Sequence, residues 1–397
     1  MVTISSAESA LKNIYLETVI NDINTKTNPF LTMIQKNAKT ANGKEARADI
    51  RYGNEGCVTA GAEGGDLPMN TNGKVAEIRS PLKNLYGTFQ ISDKALRAAQ
   101  NNPGAFASLL NGEMENLISN AQSNLNSMLY GNGKKYLGYT TSPNTVSKEL
   151  YPPARFYANF NVGDSVEVYN ANNELVGSVV VDQILADRIK YTGTLPTVNQ
   201  ERLYIYSAND DGTSLNGIDS IFRQDNIYNL AKSGYGEIAP CIVKDTTTSS
   251  LPKILNEEEL LNFFDAYEEQ CQGNPADILL THPNVRKAIF EDLKDLRTNV
   301  DSASLAGGFK GFSFNGIPVY SDIKCKAGTL YALNSGSWAL HELCDWTWLN
   351  GDDGNVLRQI DGKAGYSATL VKYADLLCDK PFIQGKVTNY SANRYKA

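Results

Sequence analysis

Residues 53–73 read GNEGCVTAGAEGGDLPMNTNG, and six of these twenty-one residues are Gly. No other stretch limits the possible folds as strongly. Ordering glycine costs more backbone entropy than ordering any other residue. The stretch also offers almost nothing to a core. It lies between two strand-like runs, KEARADIRY before it and VAEIRSPLKNLYGTFQIS after it. The sequence therefore predicts a long two-stranded ribbon with a glycine-rich tip. An isolated ribbon of two strands is marginal in water, so this one calls for a surface to lie on. The expected surface is a neighbouring subunit.

Charge along the ribbon is sorted. The tip carries Glu55, Glu63 and Asp66, while the stem carries Lys44, Arg47, Arg51, Lys74, Arg79 and Lys83 with Glu45, Asp49 and Glu77 between them. Of these, Glu55, Glu63, Asp66, Lys74, Arg79 and Lys83 are the candidate inter-subunit contacts. An acidic tip is expected to meet a basic patch on the next copy. In a generic chain the same pattern would be a solvated loop.

The rest of the chain has a readable order. Ser5 to Glu8 has the spacing of a capping box, followed by Leu11, Ile14, Tyr15, Val19 and Ile23 on one helical face and a stop at Asn28-Pro29. After Asn102-Pro103, the residues Phe106, Leu110, Met114, Leu117, Ala121, Leu125 and Met128 recur at helical spacing. They predict a rod of roughly 40 Å at 1.5 Å per residue. Its other face has only Glu113 and Glu115 as charges among Asn, Gln and Ser. That composition suits a wet interface, or a surface that nucleic acid passes without sticking. Short strands at Ser165–Tyr169, Leu175–Val181, Arg188–Tyr191 and Arg202–Tyr206 predict a small barrel or sandwich. A mixed region follows: a helix capped by Asn256, a buried strand at Ala276–Thr281 and a helix opened by Pro283. A hairpin then turns at Asn315-Gly316, and Pro318 is expected to place its strand at a sheet edge.

Chemistry is sparse. His282 and His341 are the only histidines, and His341-Glu342 lacks the second His of a zinc helix. His282, before Pro283, reads as a cap. Gly311-Phe312-Ser313 lacks the second Gly of a nucleophile elbow. Gly43-Lys44 and Gly73-Lys74 lack the Ser/Thr of a P-loop. Asp352 and Asp353 read as a polar turn, and Trp346 and Trp348 as same-face packing. The six Cys form no C-x-x-C pair, which fits reduced thiols rather than a disulfide scaffold. The net charge is −7 and no Lys/Arg cluster exists, so direct grip on nucleic acid is not expected. No apolar run approaches a membrane span. The first residues lack the basic and apolar regions of a secretory signal. The expectation is a non-enzyme with no cofactor and no metal.

In order, the chain has an N-terminal helix and arm, a glycine-tipped ribbon, a long helix, an inserted β module, a mixed α/β region and closing strands. This order resembles the major capsid protein of tailed bacteriophages, the Hong Kong 97 type shell fold. The tail carries the most specific match: GIPVYSDIKCKAGTLYALNSGSWALHEL, then a G-x-x-x-x-R, then YSATLVKYADLLCDKPFIQGKVTNY. The segment ALKNIYLETVINDINTKTNPFL is similar to the arm. The resemblance implies an α+β fold divided as arm 1–43, extended loop 44–92, peripheral domain with spine helix 93–138, inserted β domain 139–215, axial domain 216–350 and peripheral return strands 351–397. It further implies self-assembly through pentamers and hexamers into an icosahedral virion shell. That shell encloses double-stranded DNA without sequence-specific binding and forms in the host bacterial cytoplasm. Because the arm begins at Met1, a separate scaffolding protein is implied, along with a portal. Two alternatives stay open: an encapsulin-like shell around protein cargo, and a multidomain hydrolase.

Overall fold

The computed structural model describes residues 16–37, 41–52, 74–95, 103–140, 147–170, 173–196, 202–210, 212–223, 226–244, 255–271, 273–292, 302–305, 309–350 and 355–390. The ribbon is present but shorter than its sequence implies. Glu45–Tyr52 pairs antiparallel with Lys74–Pro81, from Glu45 opposite Pro81 to Tyr52 opposite Lys74. The returning chain then changes partner, and Lys83–Ser92 pairs with the long strand Gly365–Cys378. The first ladder ends just past Pro81, where the Leu82 N–H still donates to the Lys44 carbonyl at 2.9 Å. The alternating residues Leu85, Phe89 and Ile91 then need a core, and they find one on the second sheet, where Phe89 meets Trp348 edge-on at 6.0 Å. Tyr86, Thr88 and Gln90 point outward, as the alternation predicts.

The predicted long helix spans Pro103–Leu129. Leu110, Met114 and Leu117 are buried, and Ala121, Leu125 and Met128 pack against the same core. Asn102 and the Phe106 side chain lie outside the described residues. At the other end of the helix the chain returns at Gly217. A Cβ there would stand 2.4 Å from the Met128 carbonyl oxygen, 2.5 Å from that of Gly131 and 2.6 Å from that of Leu129. These are rigid backbone atoms, so Gly217→Ala is expected to destabilise the subunit by about 1–3 kcal/mol. Denaturant unfolding of the isolated subunit measures this.

Upstream, Leu16–Lys26 buries Val19 and Ile23. Asn28 does more than stop this helix. Its side chain accepts from the Phe30 N–H at 2.8 Å and caps a second short helix, Pro29–Met33. The predicted capping box at Ser5 and the apolar positions Leu11, Ile14 and Tyr15 lie outside the described residues.

Most of the remaining strands form three sheets. In the first, Gln35–Asn37 runs parallel to Trp338–Trp348, which pairs antiparallel with Gly365–Cys378. Lys83–Ser92 and Arg358–Gln359 also join Gly365–Cys378. The second has seven strands, in the order Cys241–Lys244, Gly385–Thr388, Leu330–Leu333, Ile278–Thr281, Ile317–Ser321, Phe309–Phe314 and Ser302–Leu305. The chain leaves this sheet after Leu333, builds the two long strands of the first, and returns for Gly385–Thr388. Neither sheet is therefore completed within 216–350 or within 351–397. The third has six strands between Tyr136 and Ser207, around its own aromatic-rich core of Tyr136, Phe156, Tyr204 and Tyr206.

The Asn315-Gly316 hairpin forms with φ of 48° and 78° at the two turn residues, the left-handed pair that such a turn demands. The expectation that Pro318 marks an edge is corrected, because Ile317–Ser321 has neighbours on both sides. Its parallel ladder to Ile278–Thr281 begins at Val319, so the missing N–H of Pro318 is not required there. His282 is buried and its Nδ1 accepts from the Asn284 N–H at 3.2 Å, a cap at the start of Pro283–Asp292.

Candidate assembly surface

The stem of the ribbon rests on its own chain. Arg79 donates its backbone N–H to Asn229 Oδ1 at 2.8 Å, and Asn229 Nδ2 donates to the Glu77 carbonyl at 3.3 Å. Tyr52 meets Tyr235 edge-on at 6.2 Å. Lys74, at the distal end of the stem, pairs with Glu237 at 2.7 Å. The hydrogen bond to Glu237 raises the Lys74 ammonium above the ordinary lysine value. Both partners are more than half exposed, so solvent and salt screen the attraction. Lys74→Ala is expected to leave the unfolding midpoint unchanged within error, at low and at high salt.

The other candidate residues are dispersed rather than clustered. The Arg79 guanidinium donates to Glu77 at 2.6 Å and remains exposed; that hydrogen bond holds the Glu77 carboxyl below its usual range. Lys83 is buried and donates to the Gly212 carbonyl at 2.7 Å. Each of the three described candidates thus has a partner within its own chain. Glu55, Glu63 and Asp66 lie outside the described residues. The stem's partners Asn229, Tyr235 and Glu237 were not legible in advance, because NIYNLAKSGYGEIAP has no strand or helix period to announce them.

Beside the stem base a groove of about 810 Å³ opens between the long helix and Lys83–Ser92. Tyr86, Thr88 and Gln90 line one wall, and Asn116, Asn120 and Asn124 the other. The neutral polar face predicted for the helix is therefore one side of a cleft rather than an open solvent face. Tyr86 is 60% exposed in it. Such a wall offers amide donors and acceptors with little charge, as a wet protein interface does.

Nothing in the described residues gathers a metal centre. Among them no group of three or more His, Cys, Asp or Glu stands close enough to hold an ion. His341 is buried, and burial pushes its imidazole below the ordinary value. The five described cysteines are free, and Cys57 lies outside the described residues. Among the described residues no helix is long and apolar enough to cross a membrane.

Sequence reading missed one buried charge cluster entirely. Asp219 Oδ1 accepts from Lys386 at 2.6 Å and from the Tyr331 hydroxyl at 3.1 Å. Asp219 Oδ2 accepts from Asn173 Nδ2 at 2.8 Å and is ion-paired with Lys326. Asp219 and Lys326 are wholly buried and Lys386 nearly so. Burial opposes charge on Asp219, but the two ammonium groups outweigh it and hold its carboxyl well below the usual range. The cluster pins the six-stranded sheet to the seven-stranded one. Its residues are spread from 173 to 386, so no local pattern could reveal it.

No family model and no curated protein matches the sequence. Solved structures do match. The cyanophage A-1(L) capsid asymmetric unit is 12% identical, with a TM-score of 0.54 over 94% of this chain and 92% of that one. The capsid of the native GTA particle is 10% identical with a TM-score of 0.47, covering 92% of this chain and 91% of that one. The holo-SrpI encapsulin complex of Synechococcus elongatus PCC 7942 is 12% identical with a TM-score of 0.41, covering 82% of this chain and 80% of that one. With the cyanophage likeness spanning nearly the whole of both chains, and with the ribbon stem, long helix and two interleaved sheets in place, this chain has the Hong Kong 97 type capsid fold.

Proposed function

We propose that copies of this chain assemble through pentamers and hexamers into an icosahedral shell that encloses phage double-stranded DNA. The observation that carries the reading is the end-to-end likeness to a phage capsid subunit at a TM-score of 0.54. The stem supports it, because it holds the ends of a glycine-rich segment, Tyr52 and Lys74, side by side. The acidic charge balance fits a container wall facing DNA better than a DNA-gripping surface. In this reading the protein is a structural virion component without turnover. It assembles in the host bacterial cytoplasm, with a separate scaffolding protein and a portal as partners. The six-stranded unit between Tyr136 and Ser207 is an insertion into the shell fold. The two sheets that exchange strands at Leu333 and Gly385 form the axial and peripheral parts.

Within this assembly Glu55, Glu63 and Asp66 engage a neighbour. Of the stem residues, Lys74 and Arg79 remain exposed enough to contribute, while Lys83 serves its own subunit. The test is negative-stain microscopy of the expressed protein, alone and with the proteins encoded beside it, followed by nuclease treatment of purified particles. Closed shells with nuclease-resistant DNA support the proposal. Shells with protein cargo and no DNA would favour an encapsulin-like compartment, and a stable monomer with turnover would sink both.

A further inference from the structure

We propose that Lys326 and Asn173 of one chain join through an isopeptide bond, with Asp219 as the catalytic residue that moves the proton. The inference rests on the buried cluster alone and is independent of shell assembly. Asn173 sits in the turn between Ser165–Tyr169 and Leu175–Ile184. Its backbone is left-handed, with φ of 61°, and its side chain points at the cluster. The Lys326 amine lies 3.5 Å from Asn173 Oδ1, one bond from the carboxamide carbon. Lys326 is wholly buried, and its amine stands 4.8 Å from the Tyr206 ring centre and 5.2 Å from that of Tyr204. Asp219 Oδ2 accepts from the Lys326 amine and, at 2.8 Å, from Asn173 Nδ2. A single carboxylate oxygen therefore touches both the attacking nitrogen and the leaving nitrogen.

The charge count selects Lys326 as the nucleophile. Two ammonium groups surround one carboxylate, so the site holds one positive charge in excess. Lys386 remains on Asp219 Oδ1. Release of the Lys326 proton therefore leaves a neutral Asp219–Lys386 pair. Burial pushes Lys326 down to about 8, with Asp219 opposing, so a useful fraction is free amine near neutral pH. Proximity supplies the rest, since both reactants are held by the fold.

In the reaction the Lys326 lone pair attacks Cγ of Asn173 and a C–N bond forms. A proton passes from the Lys326 nitrogen to Asp219 Oδ2 and on to Asn173 Nδ2. The Cγ–Nδ2 bond breaks and ammonia leaves. Amine and carboxamide become a secondary amide plus ammonia, and Asp219 ends as it began. No oxidant, nucleotide or metal is consumed. The product ties the six-stranded sheet covalently to the connection before Leu330–Leu333.

Mass spectrometry of the full-length wild-type chain, denatured and reduced, tests this. The expected chain is lighter than its sequence by one ammonia, and protease digestion releases one branched peptide joining the segments around residues 173 and 326. Asn173→Gly keeps the left-handed backbone without strain and must restore the unmodified mass. A wild-type chain of unmodified mass overturns the proposal, as does ammonia loss mapped to any other residue. A folded Asp219→Ala chain that still carries the link would overturn the role given to Asp219.

Discussion

In the unlinked Asn173→Gly background, Asp219→Ala is expected to destabilise the subunit by about 3–5 kcal/mol, the cost of removing one partner from a buried ion cluster. The variant strands Lys326 and Lys386 in a region that water does not reach, and it removes the acceptor of the Tyr331 hydroxyl. Guanidinium unfolding, followed by the aromatic signal of the six-stranded core, measures the loss. The double variant Asp219→Ala/Lys326→Met discriminates causes. If stranded charge is responsible, the second substitution recovers part of the stability. If packing around Asp219 is responsible, it recovers none.

The same cluster sets a pH dependence. The folded Asp219 carboxyl lies below its ordinary value. Its contribution is therefore complete above the usual aspartate range and is lost as acid protonates it in the folded state. Lys326 acts in the opposite sense. Its folded value of about 8 lies below the ordinary 10.5, so between those values the unfolded chain binds more protons. Stability then rises with pH across that window. Buried Cys325 and Cys378, whose thiols burial pushes up, act against this trend, so the Lys326 contribution is read as a difference. Between pH 7.5 and 9.5, roughly the lower part of the window, the unfolding midpoint of Asn173→Gly, whose Lys326 amine stays free, is expected to gain on that of Asn173→Gly/Lys326→Met.

Local periodicity made much of the fold legible. The alternation at Leu85, Phe89 and Ile91, the helix through Leu110, Met114 and Leu117, the Asn315-Gly316 turn and the short strands of the six-stranded sheet all carry their signal in the spacing of adjacent residues, wherever their partners lie. What escaped depends on contacts distant in sequence. Gln35–Asn37 is three residues long and pairs parallel with Ala339–His341, and nothing in QKN announces a strand. Pro318 read as an edge because a proline was weighed without knowing where its neighbour's ladder begins. Lys83 read as an inter-subunit contact, and Lys326 and Lys386 drew no reading, because lysine is rarely buried unless paired and their partners lie 107 or more residues away. The candidate site was legible only as a composition. Sequence located the charges along the ribbon, and the structure then assigned Lys74, Arg79 and Lys83 to partners in their own chain.

Replacing Gly53–Gly73 by a two-residue Asn-Gly turn is expected to abolish shell formation while leaving the subunit folded. The fold should survive because the stem does not depend on its tip. Its ladder runs unbroken from Glu45 opposite Pro81 to Tyr52 opposite Lys74, and Asn229, Tyr235 and Glu237 hold it from below. A tight Asn-Gly turn closes such a ladder with the right twist. Assembly should fail because the removed segment carries all three acidic tip candidates and the glycines that let a backbone follow another surface. In the proposed shell, contacts from a neighbour offset the entropy cost of ordering so many glycines. Glu55→Gln, Glu63→Gln and Asp66→Asn combined separate charge from length: assembly that weakens steeply as salt rises in the parent, and that loses this salt dependence in the triple variant, identifies an acidic tip on a basic partner surface. Closed shells of normal size from the shortened chain would show that the ribbon tip plays no part in holding copies together.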